Sequence, residues 1–339
     1  MDMPDSPLSP AAADASPFTP GLAVRLQHSD LDEIVELARA SDWPCEVMRI
    51  GRGPFRGSAK LVETQHLQAY ASESEPGLMV RGASPPHATN FSIVSKGGGN
   101  TWEDGLVVEG TDITVGAGGS AFDARSFGQH RRLAVSVADA YLSGYANAVL
   151  DMHLDSLAHI GRLRIADAAT AQAVSGALED LVDWAVRSPG LLAEPQVGQI
   201  LTDTILDTML LHTVPAAAHP GWMDTYRVAR RVEEFIRENA GEPLSIRQIC
   251  QYAGLPERTL FHVFRKHFGQ SPKAYLMMAR LNGAHGDLRR PASDATVTDV
   301  ATRWGFFHFG RFATYYREAF GEPPSATLRR FAPVTAGPR

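Results

Sequence analysis

Two short stretches of the chain carry basic and hydrogen-bonding side chains at intervals of three and four residues. The first stretch holds Arg258, Phe261, His262 and Arg265, and the second holds Arg311, Thr314 and Arg317. On a helix this spacing places side chains on one face. Guanidinium, imidazole and hydroxyl groups donate hydrogen bonds to base edges and phosphate oxygens, and a single helix fits the major groove of duplex DNA. The spacing therefore predicts two nucleic-acid-binding helix faces.

Each stretch belongs to one copy of a repeated motif that must position it. Ser245 with Gln248 begins the first copy, and Thr296 with Asp299 begins the second. A hydroxyl followed three residues later by Gln or Asp predicts a helix start, because the two side chains satisfy the free backbone amides there. Glycines at 254 and 305 then allow a sharp turn into a second helix. The sequence thus predicts two helix-turn-helix units.

The same residues resemble a known family. The segment from Trp304 to Arg329, which includes Phe320-Gly321 and Pro324, resembles the C-terminal signature of AraC-type transcription regulators. The resemblance covers roughly residues 224 to 331, and within it residues 272–288 are similar to the family's long linker helix. Two glycines in that helix, Gly283 and Gly286, depart from the expected pattern, since each costs about 1 kcal/mol relative to Ala.

The resemblance implies roles for individual residues. By position in the family motif, the base-contacting residues are Arg258, Phe261, His262, Phe309, Arg311 and Thr314. The phosphate-contacting residues are Arg265, Lys266 and Arg317. The resemblance also implies double-stranded DNA and RNA polymerase as partners, a homodimer, and an activator controlled by a small organic effector. The signature is particularly similar to regulators of ethanolamine and aromatic-acid catabolism.

Charge is divided unevenly along the chain. From Asp224 to the C-terminus there are 18 Lys and Arg residues against 11 Asp and Glu, whereas the remainder has 14 basic and 27 acidic residues. Basic surface neutralises phosphates, while DNA repels an acidic domain. The basic part is therefore expected to bind DNA, and the acidic part is expected to sense or dimerise.

Short apolar runs separated by turn residues dominate the chain between about 43 and 137. The runs are Cys45–Ile50, Ala59–Thr64, Leu78–Val80, Phe91–Val94, Leu106–Val108, Ile113–Val115 and Leu133–Val137. This rhythm predicts a compact β-sandwich or barrel. The family resemblance implies a cupin-like jelly roll there. We expect helices at about 139–158, 170–187 and 195–213; the apolar stripe of the third either forms a dimer contact or packs on its own β-domain.

The expected fold is multidomain α+β, with a β-rich N-terminal region followed by helices and an all-α C-terminal domain of two units joined by a long helix. The predicted divisions are a disordered tail at 1–20, an effector-sensing domain at 21–214, a linker at 215–222, a DNA-binding domain at 223–331 and a tail at 332–339. The N-terminal tail lacks the basic start and apolar stretch of a signal peptide. No apolar run approaches the length of a membrane span, and the two cysteines suit a reducing compartment, so we expect a cytoplasmic protein.

Other chemistry finds little support in the motifs. The twelve histidines form no His-x-His pair of the kind that metal-binding cupins use, although His66, His87 and His130 could converge. Gly97-Gly98-Gly99 lacks the Lys-Ser/Thr ending of a phosphate loop. We therefore expect no enzyme activity, metal or cofactor. Two alternatives stay open: control by a protein partner or constitutive use of the N-terminal domain, and a metal-dependent cupin enzyme fused to a DNA-binding module.

Overall fold

The fold is a mixed α+β arrangement with a β-rich N-terminal region and a helical C-terminal region, as the sequence predicts. The computed structural model describes residues 17–28, 31–41, 43–97, 100–150, 153–154, 160–216, 222–292 and 295–332. Most of the two predicted tails, the centre of the predicted linker and part of the Gly97–Gly99 loop lie outside these residues. Phe18, inside the predicted N-terminal tail, is described and is buried.

Two antiparallel sheets form the N-terminal region. The strands are β1 (Ala23–His28), β2 (Cys45–Arg49), β3 (Arg56–Glu63), β4 (Leu67–Glu75), β5 (Leu78–Ala83), β6 (Ala88–Gly97), β7 (Thr101–Glu103), β8 (Leu106–Val108), β9 (Asp112–Gly116), β10 (Ala121–Ser126), β11 (His130–Ala138), β12 (Arg162–Ile165) and β13 (Thr213–Pro215). The larger sheet has the order β1-β3-β4-β11-β6-β9-β12-β13, and the smaller has the order β2-β5-β10-β7-β8.

Helix α1 (Leu31–Ala40) packs with Ala59 and Leu61 of β3, on the side of the larger sheet that lines the space between the sheets. The outer face of the larger sheet is covered by α2 (Asp139–Tyr145), which continues as a π-helical turn (Ala146–Leu150), α3 (Ala168–Arg187), α4 (Pro189–Leu192) and α5 (Pro195–Leu210). Leu133 and Val135 of β11 pack in one core with Leu178 of α3 and Ile205 of α5. Because side chains alternate across a strand, the intervening residues of β11 face the smaller sheet. The apolar stripe of α5 therefore packs largely on its own β-region.

Several elements differ from the pattern expected of the sequence. Strands β1, β4, β7 and β10 and helix α1 fall outside the predicted apolar runs. The part after residue 137 is not purely helical, because β12 and β13 extend the larger sheet at its edge. Pro215, the first residue of the predicted linker, ends β13, and helix α6 already begins at Trp222.

Seven helices form the C-terminal region within the described residues. They are α6 (Trp222–Glu238), α7 (Ile246–Ala253), α8 (Glu257–Phe268), α9 (Pro272–Arg289), α10 (Val297–Arg303), α11 (Phe309–Phe320) and α12 (Pro324–Phe331). The long helix α9 is continuous despite its two glycines. A Cβ at Gly283 would collide with the ring of Trp304, so this glycine lets the second helix pair pack closely on α9. Among the helices described, none is long and apolar enough to cross a membrane.

Candidate nucleic-acid interface

Helices α7 and α8 form the first candidate unit. Ser245 and Gln248 make the predicted capping box at the start of α7, and Gly254 ends the helix with a φ of +64°. The inward face of α8 is buried, with Leu260 and Phe264 at most 1% exposed. The predicted site residues of α8 lie on the opposite face. Of these, Arg258, His262, Arg265 and Lys266 are exposed, and Phe261 is half-buried.

Helices α10 and α11 form the second candidate unit with the same local geometry. Thr296 and Asp299 make the predicted capping box, and Phe312, Tyr316 and Phe320 are buried along α11. Tyr315, which the spacing also places inward, is only partly buried. The predicted site residues Phe309, Arg311, Thr314 and Arg317 are all exposed. Thr314 Oγ1 donates to the Gly310 carbonyl of its own helix at 3.1 Å.

The basic side chains on these two faces are exposed and are not paired with carboxylates in the described structure. Within the part of the chain that the structure describes, none of the five forms an ion pair: Arg258, Arg265, Lys266, Arg311 and Arg317. On α8 the side chains of Glu257, Arg258, Phe261, His262 and Arg265 line one shallow groove. An exposed cation without a partner keeps its charge available to an external anion such as a phosphate oxygen.

The C-terminal ends of α8 and α11 rest on the N-terminal region. Trp102 Nε1 donates to the Lys266 carbonyl at 3.1 Å at the end of α8. At the end of α11, the Gly53 amide donates to the Glu318 carbonyl at 2.8 Å, and Arg52 pairs with the Glu318 carboxylate at 2.9 Å. These contacts leave the outward faces of both helices accessible.

A buried cluster of charges joins the two regions between these contacts. Arg81 and Arg125, from β5 and β10, and Arg230, from α6, each pair with both Asp123 of β10 and Glu233 of α6, at 2.6 to 3.2 Å. Burial alone would raise the pKa of Asp123, but the charge of Arg125, followed by those of Arg81 and Arg230, outweighs it and lowers the pKa to about 2. Glu233 is fully buried and also accepts a hydrogen bond from the Tyr275 hydroxyl of α9. The cluster therefore holds α6 and α9 against the smaller sheet.

A cavity of about 400 Å³ lies between the two sheets. Its apolar walls include Val80, Val108 and Phe122, and its polar walls include Tyr70 and Asn90. Cavities of this volume are typical of small-molecule sites. Asp123 and Arg125 contribute to both the cavity wall and the buried charge cluster, so the cavity reaches the contact with the C-terminal region.

The three histidines considered as metal ligands have different surroundings. His66 stacks on Tyr141 with ring centroids 4.3 Å apart, and His87 is exposed. His130 lines the cavity and lies 2.8 Å from the Ser126 hydroxyl. Burial, and then the charge of Arg132, lowers the pKa of His130 to about 4. Among the described residues, no group of three or more His, Cys, Asp or Glu side chains could hold a metal ion.

The charged residues of the cavity wall are functional candidates that the sequence patterns did not identify. Asp123 and Arg125 occupy alternate positions of β10, whose sequence Ala-Phe-Asp-Ala-Arg-Ser lacks an apolar run. Alternation of charged residues within a stretch bounded by turns is the signal that could have identified a strand facing a polar interior.

Comparisons with known proteins match the C-terminal region. A family model described as a helix-turn-helix domain matches residues 249–330. XylDLEGF operon transcriptional activator 2 of Pseudomonas putida is 36% identical over 126 residues, which cover 37% of this chain and 80% of that protein. The XylDLEGF operon transcriptional activator of the same organism is 40% identical over 101 residues, but the match spans only 32% of its length.

A solved structure extends the comparison. The crystal structure of a probable AraC family transcriptional regulator from Rhodopseudomonas palustris is 39% identical in sequence, and the match covers 32% of this chain and 99% of that one, with a TM-score of 0.30. The match to XylDLEGF operon transcriptional activator 2, over 80% of that protein, agrees with the helix-turn-helix match and with the capped, exposed helices described above. The chain thus belongs to the AraC-type transcription regulators.

Proposed function

We propose that this protein is a sequence-specific DNA-binding transcription activator. The observation that carries the proposal is the set of exposed basic side chains on α8 and α11, which lack carboxylate partners in the described structure. The names of the relatives support the activator role, since two of them are operon transcriptional activators. The match to the XylDLEGF operon transcriptional activator covers only 32% of that protein.

We propose further that α7–α8 and α10–α11 are two helix-turn-helix units in tandem, joined by α9. Each second helix enters the major groove, and the two groove segments lie about one helical turn apart. The proposed base readers are Arg258, Phe261, His262, Phe309, Arg311 and Thr314. The proposed phosphate anchors are Arg265, Lys266 and Arg317. The exposure of these side chains supports the proposal, although Phe261 is only half exposed.

The N-terminal region is proposed to be a cupin-like jelly roll, spanning about residues 21–214, that binds a small organic effector. The supporting observation is the cavity of about 400 Å³ between its two sheets. A domain used only for dimerisation, or controlled only by a protein partner, has no need for such a cavity. The contact between the cavity wall and Glu233 gives an effector a physical route to the proposed DNA-binding domain, residues 223–331.

Two further partners are part of the proposal. A homodimer is proposed through the outer side of α5, where Ile200 is 66% exposed and Leu211, just past the helix, is 54% exposed. RNA polymerase is proposed as a partner on family grounds alone.

DNA selected from a random duplex library by the full-length protein would test the DNA-binding proposal. Affinity for the selected duplex should fall steeply as salt rises, by about 0.9 log units in the binding constant per log unit of salt for each neutralised phosphate. Arg317→Ala should reduce that slope by about 1. Arg187→Ala removes the same charge from the exposed surface of α3 and should leave the slope unchanged. Failure to select any sequence, or a binding constant insensitive to salt, would contradict the proposal.

A further inference from the structure

Most charged side chains around the cavity are paired with an opposite charge. Arg132 lies 2.7 Å from Glu103, and Arg125 lies 2.8 Å from Asp123. Arg162 lies 3.3 Å from Asp112. Each arginine of the cavity wall thus has a carboxylate partner within the protein, and Arg125 shares its partners Asp123 and Glu233 with two other arginines.

Asp104 is the exception among the cavity carboxylates. Its side chain accepts the Asp123 backbone amide at 2.9 Å, but within the described residues it forms no ion pair. Asp104 lines the cavity. Part of its surface is exposed, but most of the space around its carboxyl group is filled by protein. Burial, and then the charge of Glu103, raises the pKa of Asp104 to about 7. The charge of Arg230 acts in the opposite direction on Asp104, but it does not form an ion pair with this carboxyl group.

Because Asp104 forms no ion pair while the other charged groups of the wall are paired, the cavity should favour a cationic ligand. The Nη1 of Arg125 has no hydrogen-bond partner among the described residues, but it is itself buried and out of contact with solvent. An anionic ligand would therefore compete with Glu103, Asp123 or Asp112 for an arginine, and a buried carboxylate that lost its partner would carry a large cost. A cationic ligand would instead supply the partner that Asp104 lacks, with no pair broken. The apolar side chains of Val80, Val108 and Phe122 would bury an apolar body next to this charge.

We propose that the cavity binds an organic amine with an apolar body and that its ammonium group pairs with Asp104. The inference rests on the proposed effector control and names the chemical class of the effector.

The position of Asp104 also connects this site to the proposed DNA-binding helices. Asp104 and Gly105 form the turn between β7 and β8, and the Gly105 carbonyl accepts a hydrogen bond from His267 Nδ1 at 2.9 Å. His267 is fully buried near the end of α8, and its Nε2 lies 2.8 Å from the Thr225 hydroxyl of α6. A Cβ at Gly105 would collide with Tyr226, so the turn fits tightly between α6 and α8. An ammonium group at Asp104 thus binds next to the turn that supports α8.

Calorimetry on the full-length protein with matched probes tests the charge preference. The probes are 2-phenylethylamine, 2-phenylethanol and phenylacetate, together with hexylamine, 1-hexanol and hexanoate, which share two apolar bodies and differ in their polar groups. In at least one set the amine should bind about tenfold more tightly than the alcohol and the acid, a difference of about 1.4 kcal/mol. An acid that binds more tightly than its amine, or amines no tighter than their alcohols in both sets, would overturn the inference.

The variant Asp104→Asn tests the residue. It retains the size of the side chain and the acceptor for the Asp123 amide, and it should weaken amine binding about tenfold while alcohol binding stays within about twofold. Asp180→Asn removes the same charge from the exposed surface of α3 and should leave amine binding unchanged. Equal amine affinity in Asp104→Asn and the unaltered protein would also overturn the inference.

The pH dependence of amine binding gives the same test without a substitution, in case the variant does not fold. The groups that face Asp104 are Glu103, Asp123, Arg230, Tyr226 and, across the turn, His267. Protonation of Asp104 removes the partner of the ammonium group, so amine affinity should fall about tenfold from pH 8 to pH 6 while alcohol affinity changes little. Equal pH profiles for amine and alcohol would contradict the inference.

DNA affinity, measured on the same samples, separates the two proposals. Retained DNA binding without amine preference would refute only the amine site. Amine preference without binding to any selected DNA would refute the proposed function and leave the amine site standing.

Discussion

Arginine side chains have opposite surroundings in the two regions of the molecule. In the N-terminal sheets, Arg125 is 1% exposed and pairs with two carboxylates. On α8 and α11, Arg258 and Arg311 are exposed and form no ion pair among the described residues. A buried cation requires an opposite charge from within the protein, whereas an exposed cation can accept one from outside. The surroundings, and not the residue type, therefore separate arginines that hold the fold together from arginines available to an external anion.

The two kinds of arginine are linked through one helix. Glu233 of α6 pairs with Arg125 of β10, while α6 packs in the same core as Phe264 of α8. A disturbance of the buried pairs is therefore expected to change both stability and DNA affinity, whereas removal of an exposed arginine should change DNA affinity alone.

Loss of a buried arginine should be the most damaging change. Arg125→Met leaves Asp123 and Glu233 short of a cation, and breaking a buried pair on one side costs about 3–5 kcal/mol. The free energy of unfolding, measured by urea denaturation, should fall by that amount. Arg52→Met, which removes an exposed pair with Glu318, is the matched control and should cost less than about 1 kcal/mol. Similar losses in the two variants would remove the distinction between buried and exposed arginines.

Acid should destabilise the N-terminal region through His130. Its pKa is about 4 in the folded protein, below the ordinary 6.5, so the unfolded chain binds the extra proton between those values. Stability is thus present above about pH 6.5 and is lost as pH falls toward 4, by up to about 3 kcal/mol. Urea denaturation of His130→Gln should show a flatter pH profile across that window. His262→Gln, at an exposed position of α8, should retain the profile of the unaltered protein.

Substitutions on α11 should change DNA binding without changing stability. Arg311→Ala is expected to lose about 1–3 kcal/mol of binding free energy on the preferred site and to relax selectivity there, because it removes a proposed base contact. Arg317→Ala should weaken binding to all sequences nearly alike, because it removes a proposed phosphate contact. Fluorescence anisotropy on the selected duplex and on a scrambled duplex would measure both effects. The same sequence dependence in the two variants would refute the division into readers and anchors.

The smallest expected effect is the loss of stability when the capping box of either helix pair is removed. Ser245→Ala and Thr296→Ala each remove one capping box, and loss of such a cap costs about 1 kcal/mol. Thermal unfolding should show similar losses, since the caps have the same geometry. A loss in only one variant would mean that the two pairs do not depend on their caps equally.

The C-terminal elements could be predicted because their signals are local. A capping hydroxyl and its partner lie three residues apart, and a turn glycine stands at the end of each first helix, so short segments of sequence determine each boundary. Gly283 shows the limit of that reasoning. Its cost to helix stability can be read from the sequence, but the ring of Trp304 that packs against it comes from a separate helix.

The cavity and its charges could not be predicted because the contacts that form them join residues far apart in the sequence. Strand prediction relied on apolar runs, and β4 and β10 face a polar interior with residues such as Gln68, Ser72 and Asp123. The partner of Arg125 in the C-terminal region, Glu233, is more than 100 residues away in the sequence. Contacts of that kind follow from the packing of whole domains, which single-sequence patterns do not encode.

We propose that two helices of one chain, α8 and α11, read two adjacent segments of DNA. Selection of preferred duplexes by the full-length Arg258→Ala and Arg311→Ala variants tests it most directly. Each variant should lose base preference in one segment only, and the two affected segments should be centred about 10 base pairs apart. Loss of preference at the same base pairs in both variants, or in neither, would contradict the claim.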